Sequence, residues 1–299
     1  MPDLLSHART VLGVCLLAVL LSPVSASLAQ GPVASPQPLT LPGAVTHVYK
    51  TVDGHELRLH AFLPPGVSHE PRPAIVFFFG GGWVRGSVEQ LVPQSRHLAQ
   101  RGMVAIVADY RVYERHGTWA FEAIADAKSA IRWVRAHAAE LGVDPRRIAA
   151  GGSSAGGHLA LSAGIFDDLD EPGEDLRVSS RPDALVLFNP VVDADEVELG
   201  PRWQEGSPLH RLKSGLPPMV ILHGEVDTTV PFRRARNFCS SVAALGNRCD
   251  IHMYEGAEHG FISPRVRGGL WHRETLLEAD RFLTTLGYLP APSPDRMLN

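Results

Sequence analysis

Cysteine is scarce in this chain, with three in 299 residues, which excludes a scaffold built on disulfides in place of a hydrophobic core. Neither sign of charge is in excess: 28 Lys and Arg stand against 32 Asp and Glu, a net of −4. Without a basic stripe or a run of like charge, neither nucleic acid nor an interaction tail is implied. The N-terminal apolar run, Val11–Leu21, has 11 residues and falls short of the roughly 20 that span a bilayer. No group of His, Cys, Asp and Glu has metal-ligand spacing, so no metal and no cofactor are expected. Internal repeats are also missing.

What is present begins with an export signal. One arginine precedes the apolar run and small residues follow it in SPVSASLAQ, the layout of a secretory signal peptide cleaved after Ala26 or Ala29. The expected division is a signal peptide at 1–29, a Pro-rich leader at 30–42, one catalytic domain at 43–290 and a tail at 291–299. A secreted or periplasmic location follows, with no stable membrane association. An oxidising compartment permits a disulfide between Cys239 and Cys249, the two cysteines left after cleavage. Two separately buried thiols are the alternative.

Apolar runs then alternate with helical patterns. VTHVYKT and ELRLHAFL read as a hairpin around Gly54, followed by strands at AIVFFF, MVAIVAD, RRIAAGG, ALVLFNP, PPMVILHGE and CDIHMYE. Helical stretches separate them, including a long one near 120–141 and a last one in HRETLLEADRFLTTLG. Continuous apolar strands alternating with helices predict an α/β fold with a mostly parallel sheet covered on both faces. Two insertions, 167–183 and 191–215, are large enough to shape a pocket.

The chemistry is concentrated in RRIAAGGSSAGGHLAL. It holds G-x-S-x-G at Gly152–Gly156, between a strand and a helix. A nucleophilic serine at such a turn has a strained backbone, so tiny residues must flank it, and the helix start aims its N–H groups at developing negative charge. Ser154 fits better than Ser153, whose flanks would be Gly151 and Ala155. A serine hydroxyl needs a base, and the base an orienting acid, in the order acid then histidine after late strands. HGEVDTTVP supplies Asp227 and YEGAEHGF supplies His259. Glu225 and Glu258 are acidic rivals, and His158, His223 and His252 read as structural.

Residues 75–86, IVFFFGGGWVRG, run a buried strand into three glycines. Glycine weakens regular structure, so the triplet implies that something approaches the backbone closely. A phosphate is excluded because no Lys-Ser/Thr pair follows and no G-x-G-x-x-G opens a helix. An oxyanion fits: backbone N–H groups of Gly81 and Gly82, with that of Ala155, would receive the negative oxygen formed by attack on a carbonyl. Trp83 and Phe261 adjoin these motifs and are expected at the rim, while Tyr110, Trp119 and Trp203 are weaker candidates.

Together FFFGGGW, DYR, GGSSAGGHLAL, HGEVDTTVPF and GAEHGF resemble the hormone-sensitive-lipase-like branch of the α/β-hydrolases, over nearly all of residues 45–288. Within it the chain is most similar to secreted esterases that remove acetyl or feruloyl groups from plant polysaccharides. The resemblance implies an α/β-hydrolase fold with Ser154, Asp227 and His259 as triad, and Gly81, Gly82 and Ala155 as oxyanion donors. It departs from the family at Phe79, where a histidine commonly supports the glycine loop. Little chain remains for the helical cap of many relatives, so a minimal cap and an open site are expected. The implied activity is hydrolysis of short-chain acyl esters, with a small-molecule or carbohydrate ester as partner. A general carboxylesterase, an amide- or peptide-cleaving hydrolase such as an arylformamidase, and a non-catalytic hydrolase-fold binding module are the rival readings.

Overall fold

The computed structural model describes residues 36–68 and 70–291. The expected signal peptide, the first residues of the leader and nearly all of the tail lie outside the described residues. The chain enters the sheet as a hairpin, β1 (Val45–Val52) and β2 (His55–Phe62), paired antiparallel. Its turn is Asp53-Gly54, both at positive φ (51° and 77°), the combination that matches the twist of two adjacent strands. β3 (Arg72–Phe78) leads to α1 (Val92–Gln100), and β4 (Val104–Ala108) follows.

The next stretch holds α2 (Tyr113–His116), α3 (Ala120–Ala136) and α4 (Ala138–Leu141). A continuous helix near 120–141 was the expectation, but His137 leaves helical dihedrals (φ −101°, ψ 20°) and separates α3 from α4. Its ring stacks on Trp133 at 4.0 Å, and the short second helix ends at Gly142 with φ 63°. β5 (Val143–Ser153) then runs directly into α5 (Ala155–Ile165). β6 (Ala184–Phe188), the short helices α6 (Glu196–Leu199) and α7 (Trp203–Gly206), β7 (Met219–Gly224), α8 (Phe232–Ala244), β8 (Cys249–Tyr254) and α9 (Leu270–Thr285) follow in order among the described residues.

Among the described residues eight strands form one sheet in the order β1-β2-β4-β3-β5-β6-β7-β8. From β4 to β8 every pairing is parallel, and β1 and β2 form an antiparallel edge. Residues of β3, β4, β6 and β7, and of β5 from Ile148 onward, are almost wholly buried, as strands covered on both faces must be. Each fully buried Phe of β3 contributes about 1.5–3 kcal/mol relative to an exposed one. Register sets where the loops emerge: Phe78 is opposite Gly152, Ser153 opposite Phe188, and Leu222 opposite Phe188. The carboxyl ends of β3, β5, β6 and β7 are therefore level, the edge at which open parallel sheets place their ligand sites.

The two insertions part company. Residues 167–183 lie against α3 and are tied down by ion pairs. Asp170 holds Lys128 (2.6 Å) and Arg132 (2.5 Å), and Glu171 holds Lys50 (2.6 Å) and Arg111 (2.7 Å). Asp126, within α3, completes the cluster with Lys50 (2.6 Å) and Arg111 (2.8 Å). This insertion contributes nothing to the cavity described below, against expectation, because its carboxylates are drawn to the cations of α3 and its neighbours. Residues 191–215 do reach the cavity, through Val191 and Glu198.

Candidate active site

Ser154 joins β5 to α5 at φ 55°, ψ −121°, a conformation that a non-glycine residue holds only when its surroundings impose it. The surroundings are backbone. A Cβ on Gly156 would sit 2.0 Å from the Phe78 carbonyl oxygen, and one on Gly152 would sit 2.4 Å from Gly156. Tiny residues two before and two after the serine let α5 lie directly against the strand ends, and all of α5 is buried. The Ser154 N–H donates to the Phe188 carbonyl at 3.0 Å, fixing the turn to the neighbouring strand.

Three side chains from three loops meet in one relay. Ser154 Oγ lies 3.0 Å from His259 Nε2, and His259 Nδ1 lies 2.7 Å from Asp227 Oδ2. The other oxygen of Asp227 accepts the N–H groups of Thr229 (2.9 Å) and Val230 (2.8 Å), which locks the carboxylate and so the ring. Burial pushes the Asp227 carboxyl up, but these hydrogen bonds and the neighbouring histidines hold it below the ordinary carboxylate range. It stays ionised and favours the tautomer with Nδ1 protonated, leaving Nε2 free to take the serine proton.

The rivals lie elsewhere. Ser153 also reaches the cavity, but its Oγ–H donates to Asn189 Oδ1 at 3.4 Å, and His259 is paired with Ser154 instead. Glu225 accepts the Gly256 N–H at 3.1 Å and clips two loops together. His158 is fully buried, with Nε2 2.7 Å from the Gly206 carbonyl, and burial pulls it down to about 4. His223 is fully buried with Nε2 2.7 Å from the Val230 carbonyl. His252 lies on the edge strand β8, 3.9 Å from Glu278. Asn189 is a residue that sequence reasoning missed. Buried, at φ 38°, it places its amide nitrogen 3.2 and 3.3 Å from the two nitrogens of His259. Its only sequence signal is its position at the end of β6, level with the elbow.

The glycine loop faces Ser154. Gly80 N–H donates to Gln90 Oε1 at 2.6 Å, and the Gly81 carbonyl accepts the N–H groups of Val84 (3.1 Å) and Arg85 (3.2 Å). Gly81, at φ 142°, has no room for a side chain: a Cβ would meet the Arg85 carbonyl oxygen at 1.9 Å. Among the described residues the N–H groups of Gly81 and Gly82 donate to no protein acceptor. Ala155 is the first residue of α5, so its N–H precedes the first helical hydrogen bond. Phe79 holds the loop by packing. Its ring stacks on Tyr110 at 4.1 Å, the Tyr110 hydroxyl donates to the Phe79 carbonyl at 2.8 Å, and Arg115 covers the ring at 5.8 Å. Gln90 supplies the hydrogen bond to the loop, a second role not read from the sequence.

Ser154, His259, Gly81 and Gly82 open into a cavity of about 780 Å³. Trp83 lines it, buried at φ 60° with its ring edge-on to His158 at 5.0 Å. Phe261 does not line it, which corrects the expectation of a rim role. It is 1% exposed and packs against Tyr254 (5.3 Å) and Trp271 (6.4 Å), because the loop carrying His259 folds back on the core. Tyr110, Trp119 and Trp203 are also absent from the lining. Cys239 and Cys249 are joined in a disulfide, Cα atoms 5.5 Å apart, that ties α8 to β8 away from the cavity. The arrangement can activate a hydroxyl and receive a new negative charge on oxygen, the two requirements of acyl transfer.

Residues 59–194 match the BD-FAE family and residues 193–278 the prolyl oligopeptidase family. The apo form of Thermogutta terrifontis esterase 2 superimposes with a TM-score of 0.82 at 47% identity, covering 84% of this chain and 97% of that one. Further structures of that esterase are bound to propionate, bound to butyrate, or phosphorylated by paraoxon. Carboxylesterase NlhH of Mycobacterium tuberculosis is 36% identical over 235 residues, 70% of this chain and 72% of the relative. Esterase LipC of the same organism is 32% identical over 220 residues, 64% of this chain and 54% of the relative. The chain thus spans about half the length of LipC.

Proposed function

The chain belongs to the hormone-sensitive-lipase-like branch of the α/β-hydrolases, and from that premise we propose that it is a serine esterase removing short acyl groups through an acyl-enzyme. The observation that carries this is the unbroken relay from Ser154 Oγ through His259 to Asp227, at 3.0 and 2.7 Å. Ser154 Oγ attacks the ester carbonyl carbon while its proton passes to His259 Nε2. The carbonyl oxygen becomes negative beside the N–H groups of Gly81, Gly82 and Ala155, each such donor lowering the barrier by about 2.7–4 kcal/mol. Collapse breaks the bond to the alcohol oxygen, and His259 returns its proton to that oxygen. Water then attacks the acyl group, gives a proton to Nε2, and the acid leaves as Ser154 regains its hydrogen.

Short acyl groups are favoured by the propionate- and butyrate-bound states of the similar esterase. A bulky alcohol such as a sugar chain fits a cavity whose lining carries Arg85, Glu89, Gln90 and Arg265 beside its apolar residues. The disulfide accords with export to an oxidising compartment, and we propose a secreted or periplasmic site of action after loss of the signal peptide. Hydrolysis of p-nitrophenyl acetate, butyrate and octanoate, with acetylated xylan as a further substrate, tests the proposal. Rates should fall from acetate to octanoate, and Ser154→Ala should lose at least roughly a thousandfold. A preference for octanoate would contradict short-acyl specificity, and inertness towards acetylated xylan would leave a general carboxylesterase.

A further inference from the structure

Most arginines of this protein are engaged. Carboxylates, carbonyls or aromatic rings occupy Arg58, Arg72, Arg96, Arg101, Arg111, Arg115, Arg132 and many others. Arg85 and Arg265 differ. Both are exposed and both line the cavity, yet among the described residues neither guanidinium has a hydrogen bond, an ion pair or a ring partner. They come from the two loops that carry the chemistry. Arg85 closes the turn that starts at Gly81, its N–H bonded to the Gly81 carbonyl at 3.2 Å. Arg265 ends the loop from His259, its N–H bonded to Ser263 Oγ at 3.3 Å. The loop ahead of Arg265 is also fixed to α1, where Gln94 Nε2 donates to the Ile262 carbonyl at 3.3 Å.

The carboxylates of the same lining are occupied by the chain itself. Glu198 accepts the Asp195 N–H at 3.1 Å, and Glu89 accepts the Ser87 hydroxyl at 3.5 Å. Two planar, permanently charged forks thus stand unpaired beside a reactive serine, the arrangement suited to a carboxylate.

We propose that Arg85 and Arg265 form an anion subsite, so that the preferred ester carries a carboxylate away from the scissile carbonyl, as an acylated sugar acid does. This rests on the esterase reading and adds the charge of the substrate to it. A carboxylate could sit on the alcohol or on the acyl side, and two probes separate these sources. The first pair is an O-acetylated methyl glucuronate against the O-acetylated methyl glucoside. The second is p-nitrophenyl hemisuccinate against p-nitrophenyl butyrate.

The quantity read is the ratio of kcat/KM for the anionic over the neutral member, in the native enzyme and in Arg85→Gln/Arg265→Gln. In at least one pair the ratio should exceed one and fall about tenfold in the double variant, as the loss of two exposed charge contacts implies. It should also fall on raising the salt concentration, while Arg85→Lys/Arg265→Lys keeps part of it. Neutral esters cleaved by a Ser154-dependent route, with both ratios unmoved by the substitutions, would overturn the anion subsite alone. Cleavage of no ester, or cleavage that survives Ser154→Ala, would overturn the esterase reading and this inference with it.

Discussion

Along α3 and beneath it, Lys50, Arg111, Lys128 and Arg132 are buried in ion pairs, each held by Asp126, Asp170 or Glu171. Around the elbow, His158 and His223 are buried as neutral rings, their pKa values lowered by burial. The first solution spends opposite charges on each other, and the second avoids charge. A buried ion is tolerable only when further hydrogen bonds complete its pairing. Asp126 has them, accepting from Lys50 Nζ and from the N–H, Nε and NH2 groups of Arg111. Behind the elbow the one charge held in the relay is that of Asp227, and neutral imidazoles pack around it without adding a second buried ion. The difference teaches that buried ions are gathered into the cluster that serves the fold, while the histidines packed behind the elbow are kept neutral.

Breaking the paired region should have the larger effect on stability. Asp126→Asn leaves Lys50 and Arg111 with reduced compensation and should cost about 3–5 kcal/mol, read as a lower urea midpoint. Its folded fraction should cleave p-nitrophenyl acetate at the native rate, since Asp126 touches no part of the relay. A loss below about 1 kcal/mol would show that the cluster adds no more than a surface pair.

The neutral region should announce itself through pH. A histidine held at about 4 in the folded state but near 6.5 when unfolded favours folding while it is neutral. That stability is complete above the unfolded value and is lost as pH falls from about 6.5 towards 4. For fully buried His158 the loss is up to about 3 kcal/mol. Urea midpoints between pH 7 and 4 should therefore drop in the native protein and drop less in His158→Asn. Equal slopes in the two would show that His158 takes no part in the acid response.

Much of the fold and of the site is legible in the sequence. Strand positions followed from apolar runs, and the elbow from glycines whose Cβ atoms would strike Phe78 and Gly156. Such backbone constraints leave a local mark in sequence. Asn189 and Gln90 left none, because each acts on a residue brought near only by folding, His259 70 positions away and Gly80 ten. Phe261 misled for a related reason: adjacency to His259 in the chain says nothing about which way a loop turns. The length of the insertion at 167–183 suggests a pocket wall, while its acidic residues match the cations along α3. Arg85 and Arg265 became visible as a pair only once two loops met at one cavity.

The central claim is that Ser154 is the nucleophile, and mass spectrometry after treatment with paraoxon tests it most directly. Thermogutta terrifontis esterase 2 is phosphorylated by this reagent, so fragment ions that separate Ser153 from Ser154 are the quantity to record. The account predicts a diethyl phosphoryl group on Ser154 in the native protein and none at the elbow in Ser154→Ala. A label on Ser153, or equal labelling of the elbow in the variant, would contradict it.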